Sequence, residues 1–115
     1  MKLPEQIPKR LRSMALPLAQ LDYGEGAWSK SDAMAVIESL KSTTVAVSDV
    51  VVFNYAPWGY APSDVAISIV RLAKEADADY AARSRLIAKE FVQNFEPILD
   101  DTLFALTFPL WKNAA

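Results

Sequence analysis

The chain has 115 residues, of which 52% are hydrophobic and 23% charged, with 12 lysines and arginines against 14 aspartates and glutamates. That length suits one hydrophobic core, and the apolar share is large enough to offset the loss of chain entropy, so we expect a single domain over residues 1–115. The formal charge of −2 disfavours binding to nucleic acid, and the absence of histidine and cysteine removes the commonest general base, the thiolate nucleophile and the usual zinc ligands.

Two helices are predicted in the first forty residues. Apolar residues recur at helical spacing over residues 8–18, where two prolines limit the helix to a short one. Residues 22–26 are typical of a turn. The second helix is expected to begin where Ser29 and Asp32 approximate a capping box, because the apolar residues of 33–40 then share one helix face.

Two strands are predicted next. Residues 44–53 are dense in β-branched side chains, although the polar pair Ser48 and Asp49 indicates a bulge or a break between two strands. Residues 54–63 contain three aromatic residues, two prolines and a glycine, which predicts a connector. Residues 65–72 fit either an alternating strand or an amphipathic helix, and we choose the strand.

A long helix and a last strand complete the predicted fold. From about Asp77 onward, apolar residues between Tyr80 and Phe95 follow one helix face, and Pro97 ends the pattern. Residues 102–108 are predicted to form the final strand. This order of elements predicts an α+β fold, with a small, largely antiparallel sheet of about three strands covered by two to three helices.

No apolar run is long enough to cross a membrane. The longest, residues 33–37, is far shorter than the roughly 20 apolar residues that a spanning helix needs. The first eight residues have one lysine with no apolar stretch behind it, which is not typical of a signal peptide. We therefore expect a cytoplasmic protein with no membrane partner.

Carboxylates are the remaining candidates for catalysis or metal binding. The pairs Asp77 with Asp79 and Asp100 with Asp101 could exchange protons or hold a cation, but acids at helix starts and in turns ordinarily cap the backbone or face solvent. We therefore predict no catalytic residue, no metal site and no cofactor. Asp49 lies within an apolar strand, where we expect it to accept hydrogen bonds from backbone N–H groups at a strand break, with direct partner contact as the alternative.

Binding to another protein is the function that these exclusions favour. Tyr55, Trp58 and Tyr60 are candidate contacts because tyrosine and tryptophan dominate interface hot spots, and prolines pre-order their connector. Packing of the same rings over a sheet edge is the alternative, whereas Trp28 is interpreted as a core anchor beside a helix cap. A second group of candidate contacts is mainly acidic, and its negative charge could complement a basic cleft on the partner. The residues are Asp22, Tyr23, Glu25, Asp100 and Asp101.

Three blocks of residues have the order and spacing of a known family. They are 22–24 with 27–33, then 48–53 with Trp58, and finally the helix marked by Tyr80, Ser84, Ala88 and Phe91 with the strand 103–106. From about Leu21 to Phe108, the chain thereby resembles the immunity protein family 40 of bacterial polymorphic toxin systems.

The resemblance implies an antidote used in bacterial competition. Such a protein binds a cognate toxin domain in the cytoplasm and blocks its active site or a movement that it requires. A different interaction module, such as an adaptor or a secretion chaperone, is the alternative. A small carboxylate enzyme that uses Asp49 or Asp101 is a third hypothesis, which would require loss of turnover in the matching asparagine variants.

Overall fold

The computed structural model describes residues 3–16, 18, 20–21, 24–96 and 101–109. Within these ranges the elements are α1 (Lys9–Met14), β1 (Glu25–Trp28), α2 (Lys30–Ser39), β2 (Asp49–Ala56), β3 (Gly59–Ser68), α3 (Asp77–Asn94) and β4 (Thr102–Thr107). The predicted α+β class is confirmed. The sheet has four strands where about three were predicted, because β1 was taken for the approach to a helix.

The four strands form one antiparallel sheet in the order β1-β4-β2-β3. The last strand of the chain therefore lies inside the sheet, between the first strand and the second, and β4 is buried from Thr102 to Leu106. β1 escaped prediction because it is short and contains Gly26. This glycine is required by close packing, since a Cβ there would lie 2.6 Å from Cη2 of Trp28.

The main core fills the space between the three helices and one face of the sheet. Residues opposite one another in antiparallel strands share a face, and Trp28, Phe104 and Val52 form one such buried row. The Trp28 indole Nε1 donates a hydrogen bond to the Leu11 carbonyl at 2.8 Å, and its ring meets that of Phe108 edge-on at 6.2 Å. The interpretation of Trp28 as a core anchor is confirmed.

A smaller apolar cluster covers part of the opposite sheet face. Its buried members are Ala27, Phe53, Leu103 and Ala105, and partly buried Leu16, Leu18, Leu21, Val51 and Tyr60 pack against them. The segment that precedes β1 therefore shields the β1–β4 half of this face. The half near β3 is more open, since Ala66 and Ser68 on the same face are exposed.

The helices begin close to their predicted positions. Ser29 Oγ accepts a hydrogen bond from the Asp32 N–H at 3.4 Å, which confirms the predicted start of α2. α3 begins at Asp77, and its last helical residue is Asn94. Pro97, which was predicted to end it, lies outside the described residues. None of the helices in the described ranges has the length and apolar character needed to span a bilayer.

The strand predicted over residues 44–53 is displaced along the chain. β2 begins at Asp49 and ends at Ala56, and its irregularity in register lies between Val51 and Phe53. Residues 44–48 are buried or half-buried without belonging to a strand. Side chains of α3 bind their backbone instead, because Arg85 donates to the carbonyl of Val45 at 2.8 Å and Ser84 accepts from the N–H of Val47 at 3.1 Å. The β-branched residues there indicated burial, and we interpreted that burial as a strand.

Most of the predicted connector over residues 54–63 is a β-hairpin, so that prediction was wrong. β2 runs to Ala56 and β3 starts at Gly59, which leaves Pro57 and Trp58 as the turn. Gly59 takes a φ of 114°, a conformation that favours glycine. Pro62 suggested a loop, but it lies in the edge strand β3, where a missing N–H is tolerated. The strand chosen for residues 65–72 is confirmed as far as Ser68.

Candidate partner-binding surface

The three aromatic candidates lie together at the end of the β2–β3 hairpin, and we call Tyr55, Trp58 and Tyr60 the hairpin tip. Tyr55 and Tyr60 are cross-strand partners whose ring centroids are 5.3 Å apart at 74°. Trp58 in the turn is 82% exposed and Tyr55 is 52% exposed. Tyr60 is half-buried against the small apolar cluster. The alternative of packing over the sheet therefore holds for Tyr60, while the other two rings face solvent.

Several restraints hold the hairpin tip in one arrangement. The edge-on contact between the tyrosines ties the two strands together directly below the turn. Gln20 Nε2 donates to the carbonyl of Tyr60 at 3.1 Å, and Pro57 restricts φ within the turn. These contacts order the hairpin tip in the free chain, and a surface ordered in this way loses little entropy if a partner binds to it.

The acidic candidates do not form one set. Glu25 and Asp49 both lie opposite Thr107, at the end of the sheet where β2 begins. Asp101 is exposed and directly precedes β4, whose first residue lies opposite Asn54 beside the hairpin tip. The two ends of the sheet are roughly 20 Å apart at about 3.3 Å per residue. Asp22, Tyr23 and Asp100 lie outside the described residues.

Asp49 is held by hydroxyl groups. Ser48 Oγ donates to its Oδ2 at 2.7 Å and Ser68 Oγ donates to its Oδ1 at 2.6 Å. The expectation that backbone N–H groups would satisfy this carboxylate is thus corrected, because the serine of the neighbouring strand and the preceding serine lie within reach. The bonds join the start of β2 to the end of β3, which is a structural contact.

Replacing Asp49 by alanine is expected to lower the free energy of unfolding by about 1–2 kcal/mol, since two hydrogen bonds to a carboxylate are lost. Asp49→Asn retains one acceptor oxygen and is expected to lose less. Urea denaturation of both variants measures the effect, with Asp101→Ala as the matched control at an exposed acid. Equal unfolding free energies for all of these proteins would show that the contact contributes nothing to stability.

Three further candidate residues were missed from the sequence. Val65 in β3 is 40% exposed, and Val70 and Leu72 in the segment after it are 74% and 59% exposed. All three lie in the segment 65–72, for which a strand was chosen because Val65, Ile67 and Ile69 alternate. Only their exposure in the folded chain identifies them as contact candidates, because no local sequence signal separates an exposed valine from a buried one.

The segment that carries Val70 and Leu72, residues 69–76, is bound tightly to α3, and we call it the 69–76 loop. Arg83 donates to both carboxylate oxygens of Glu75 at 2.8 Å and to the carbonyl of Val70 at 2.7 Å. The Leu72 N–H donates to Glu75 at 3.0 Å. Both Arg71 and Arg83 stack over the ring of Tyr80, whose hydroxyl donates to the carbonyl of Ile69.

These contacts lower the pKa of Glu75 from 4.5 to about 2, first through the Arg83 hydrogen bonds and then through the Leu72 N–H. Because the pKa is lower in the folded state, the contribution to stability is complete above about pH 4.5 and is lost as the pH falls towards 2. We expect Glu75→Gln to be less stable than the parent protein at pH 6, with a difference that shrinks towards pH 2. Urea midpoints at both pH values test this, with Glu96→Gln as control, and an unchanging difference would contradict it.

Several acids were candidates for catalysis or metal binding, and the described residues show what two of them contact. No group of three or more acidic side chains that could hold a metal is found in the part of the chain that the structure describes. Asp77 forms an ion pair with Arg71, and Asp49 is held by serines. Both carboxylates therefore make structural contacts in the folded chain.

Comparison with known families identifies the family of this chain. Residues 17–108 match the family model of Immunity protein 40. No curated protein and no solved structure matches the chain. The match includes all four strands, α2, α3 and the hairpin tip, and it confirms the resemblance inferred from the three blocks of residues. The chain belongs to the immunity protein 40 family.

Proposed function

We propose that the chain neutralises a cognate bacterial toxin domain by binding to it stoichiometrically, and that the hairpin tip contacts the toxin. Family membership supports the immunity role. The observation that carries the proposed contact is Trp58, which is 82% exposed on a turn held by its neighbours. A large apolar ring displayed on a rigid turn gains most from burial in a partner.

Binding without catalysis is the mechanism that the residues support best. The chain has neither histidine nor cysteine. Of the carboxylates considered for acid–base chemistry that lie in the described ranges, Asp49 and Asp77 take part in structural contacts, and Asp79 and Asp101 are exposed. Inhibition then requires only that the complex covers the toxin active site or prevents a movement of the toxin. One antidote molecule is consumed per toxin molecule, so affinity and dissociation rate determine protection.

The test uses the toxin domain encoded by the gene adjacent to that of this chain. Co-expression is expected to restore growth of cells that produce the toxin domain, and purification is expected to yield a complex with one copy of each chain. The matched control is co-expression with an unrelated toxin, which should still kill. Absence of both rescue and a complex would contradict the proposal.

A cell-free assay with purified, folded toxin separates neutralisation from the alternative of an adaptor or secretion chaperone. Such a module would bind the toxin domain in an unfolded or export-competent form and leave the folded toxin active. Its signature is a complex without protection from the purified, folded toxin. Protection in a cell-free assay with folded toxin therefore supports neutralisation directly.

A further inference from the structure

Exposed large hydrophobic side chains are concentrated in one part of the chain. Of eight such residues in the described ranges, five fall between Tyr55 and Leu72, and we call these five the β3 rim. They are Tyr55, Trp58, Val65, Val70 and Leu72. Soluble proteins expose single apolar residues everywhere, but concentration of this kind is typical of an interaction surface.

The β3 rim follows an edge of the sheet. β3 has one neighbour, β2, and most of its residues are exposed or half-exposed. Its ten residues span roughly 30 Å at about 3.3 Å per residue. The hairpin tip is therefore at one end of the rim and the 69–76 loop at the other. At the opposite edge of the sheet, Leu16 forms a bridge with Ala27 of β1.

The backbone of β3 is poorly suited to pairing with a strand from another chain. Pro62 has no N–H to donate, and the pairing with β2 shifts register between Val51 and Phe53. The N–H of Val65 donates to Ser63 Oγ within the same strand at 3.0 Å. Edge strands protected in this way resist strand addition, so contacts along this edge fall to the side chains.

The far end of the β3 rim, like the hairpin tip, is held by contacts with its neighbours. The Arg83–Glu75 pair, the Leu72 N–H bond to Glu75 and the hydrogen bond from Tyr80 to Ile69 fix the backbone of the 69–76 loop. This loop nevertheless presents Val70 and Leu72 to solvent. Fixed loops with exposed aliphatic side chains lose little entropy when they bind.

We infer that the whole β3 rim, from Tyr55 to Leu72, is one contact surface for the toxin domain, which packs against its side chains. This inference rests on the proposed function and extends it from the hairpin tip to an entire edge. The size supports it, because a stable interface buries about 800 Å² per partner, a patch roughly 30 Å across. The hairpin tip alone is too small for such an interface, whereas the rim has the required length.

A double variant at the far end tests the inference. Val70→Asp with Leu72→Asp places two charges in the surface about 30 Å from Trp58 without touching the hairpin tip. We expect at least a tenfold weaker affinity for the adjacent-gene toxin domain, measured by biolayer interferometry. Leu86→Asp is the matched control, because Leu86 is 58% exposed on α3 and outside the rim. Its affinity is expected to stay within about twofold of the parent value.

A second measurement keeps the test decisive if the double variant folds poorly. Hydrogen exchange of the parent protein with and without the toxin domain is expected to show slower exchange both around Trp58 and over residues 65–75. Protection confined to the hairpin tip would overturn the inference. So would an unchanged affinity of the folded double variant, and either result would leave the proposed function standing.

Two further outcomes, no binding at all and dimerisation of the chain, are distinguished from those above. If the parent chain does not bind the toxin domain at all, the proposed function fails and the inference fails with it. If the isolated parent chain is a dimer by light scattering and the double variant is a monomer, a second copy of this chain occupies the rim, which overturns the assignment to the toxin. A monomeric parent chain together with weakened toxin binding by the double variant supports the inference.

Discussion

Replacing Trp58 by alanine is expected to weaken binding to the cognate toxin domain by about thirtyfold or more, which corresponds to about 2 kcal/mol. The indole is 82% exposed in the free protein, so its apolar surface is available for burial in the complex. Pro57, the edge-on tyrosine pair and the bond from Gln20 hold the turn that carries this ring. Most of the change is expected in the dissociation rate, which can be measured by biolayer interferometry.

The same substitution is expected to leave the folded state intact, because an exposed side chain contributes within about 0.5 kcal/mol to stability. Leu86→Ala is the matched control for binding, since it also removes an exposed apolar side chain but lies on α3. An affinity of Trp58→Ala within a factor of two of the parent protein would remove the hairpin tip from the interface. Loss of rescue in cells should follow loss of affinity once the new dissociation constant exceeds the concentration of the antidote.

Replacing Trp28 by alanine is expected to lower the free energy of unfolding by about 3–5 kcal/mol, the range found for large aromatic residues in cores. Trp28 is fully buried, and its ring packs against Phe108 and over Gly26. The substitution also deprives the Leu11 carbonyl of its donor and leaves a cavity between α1 and the sheet. Since domains of this size are stable by only about 5–15 kcal/mol, the variant is expected to be marginal at 37 °C.

Urea denaturation followed by circular dichroism measures this loss. Trp58→Ala is the internal control, because it makes the same chemical change at an exposed position. Trp28→Phe separates the two contributions, since it retains much of the packing but loses the hydrogen bond. A change below 1 kcal/mol in Trp28→Ala would contradict the core position of this residue. We therefore expect the substitution of Trp28 to lower stability and the substitution of Trp58 to weaken binding.

Under the proposed function, the residues that bind the partner differ from those that stabilise the fold. The residues of the β3 rim are exposed and lie on a hairpin and a loop, so substitutions there cost little stability. Arg83, Glu75 and Tyr80 bind backbone atoms of this loop. These hydrogen bonds therefore do not depend on which side chains occupy positions 70 and 72. Under the proposed function, a new toxin surface would be accommodated by changing the rim while the core remains the same.

Periodic patterns allowed several elements to be predicted from the sequence. α2, α3 and β4 were located because amphipathic spacing and helix caps are properties of neighbouring residues. The family was recognised for a related reason. The order and spacing of the three blocks can be read from the sequence without knowing the contacts between them. The aromatic candidates were also identified from residue type alone, and Trp58 and Tyr55 are indeed exposed.

Other features depended on contacts between distant parts of the chain. β1 was missed because Gly26 signals a turn, whereas its role is to admit the ring of Trp28. Residues 44–48 were assigned to a strand because of their valines, yet side chains of Ser84 and Arg85 bind that backbone. In both cases a partner far away in sequence decided the conformation, because β1 pairs with β4 and residues 44–48 are bound by α3. Local propensity could not indicate either contact.

The sequence by itself determined the class of fold, the family, the residues able to act as contacts and the lack of histidine and cysteine chemistry. Only the tertiary structure decided which of those residues share a surface. It placed Glu25 and Asp49 at the end of the sheet away from the hairpin tip, and it added Val65, Val70 and Leu72 to the candidates. The physical reason is that side-chain identity is local, whereas exposure and proximity follow from strand order, which long-range packing sets.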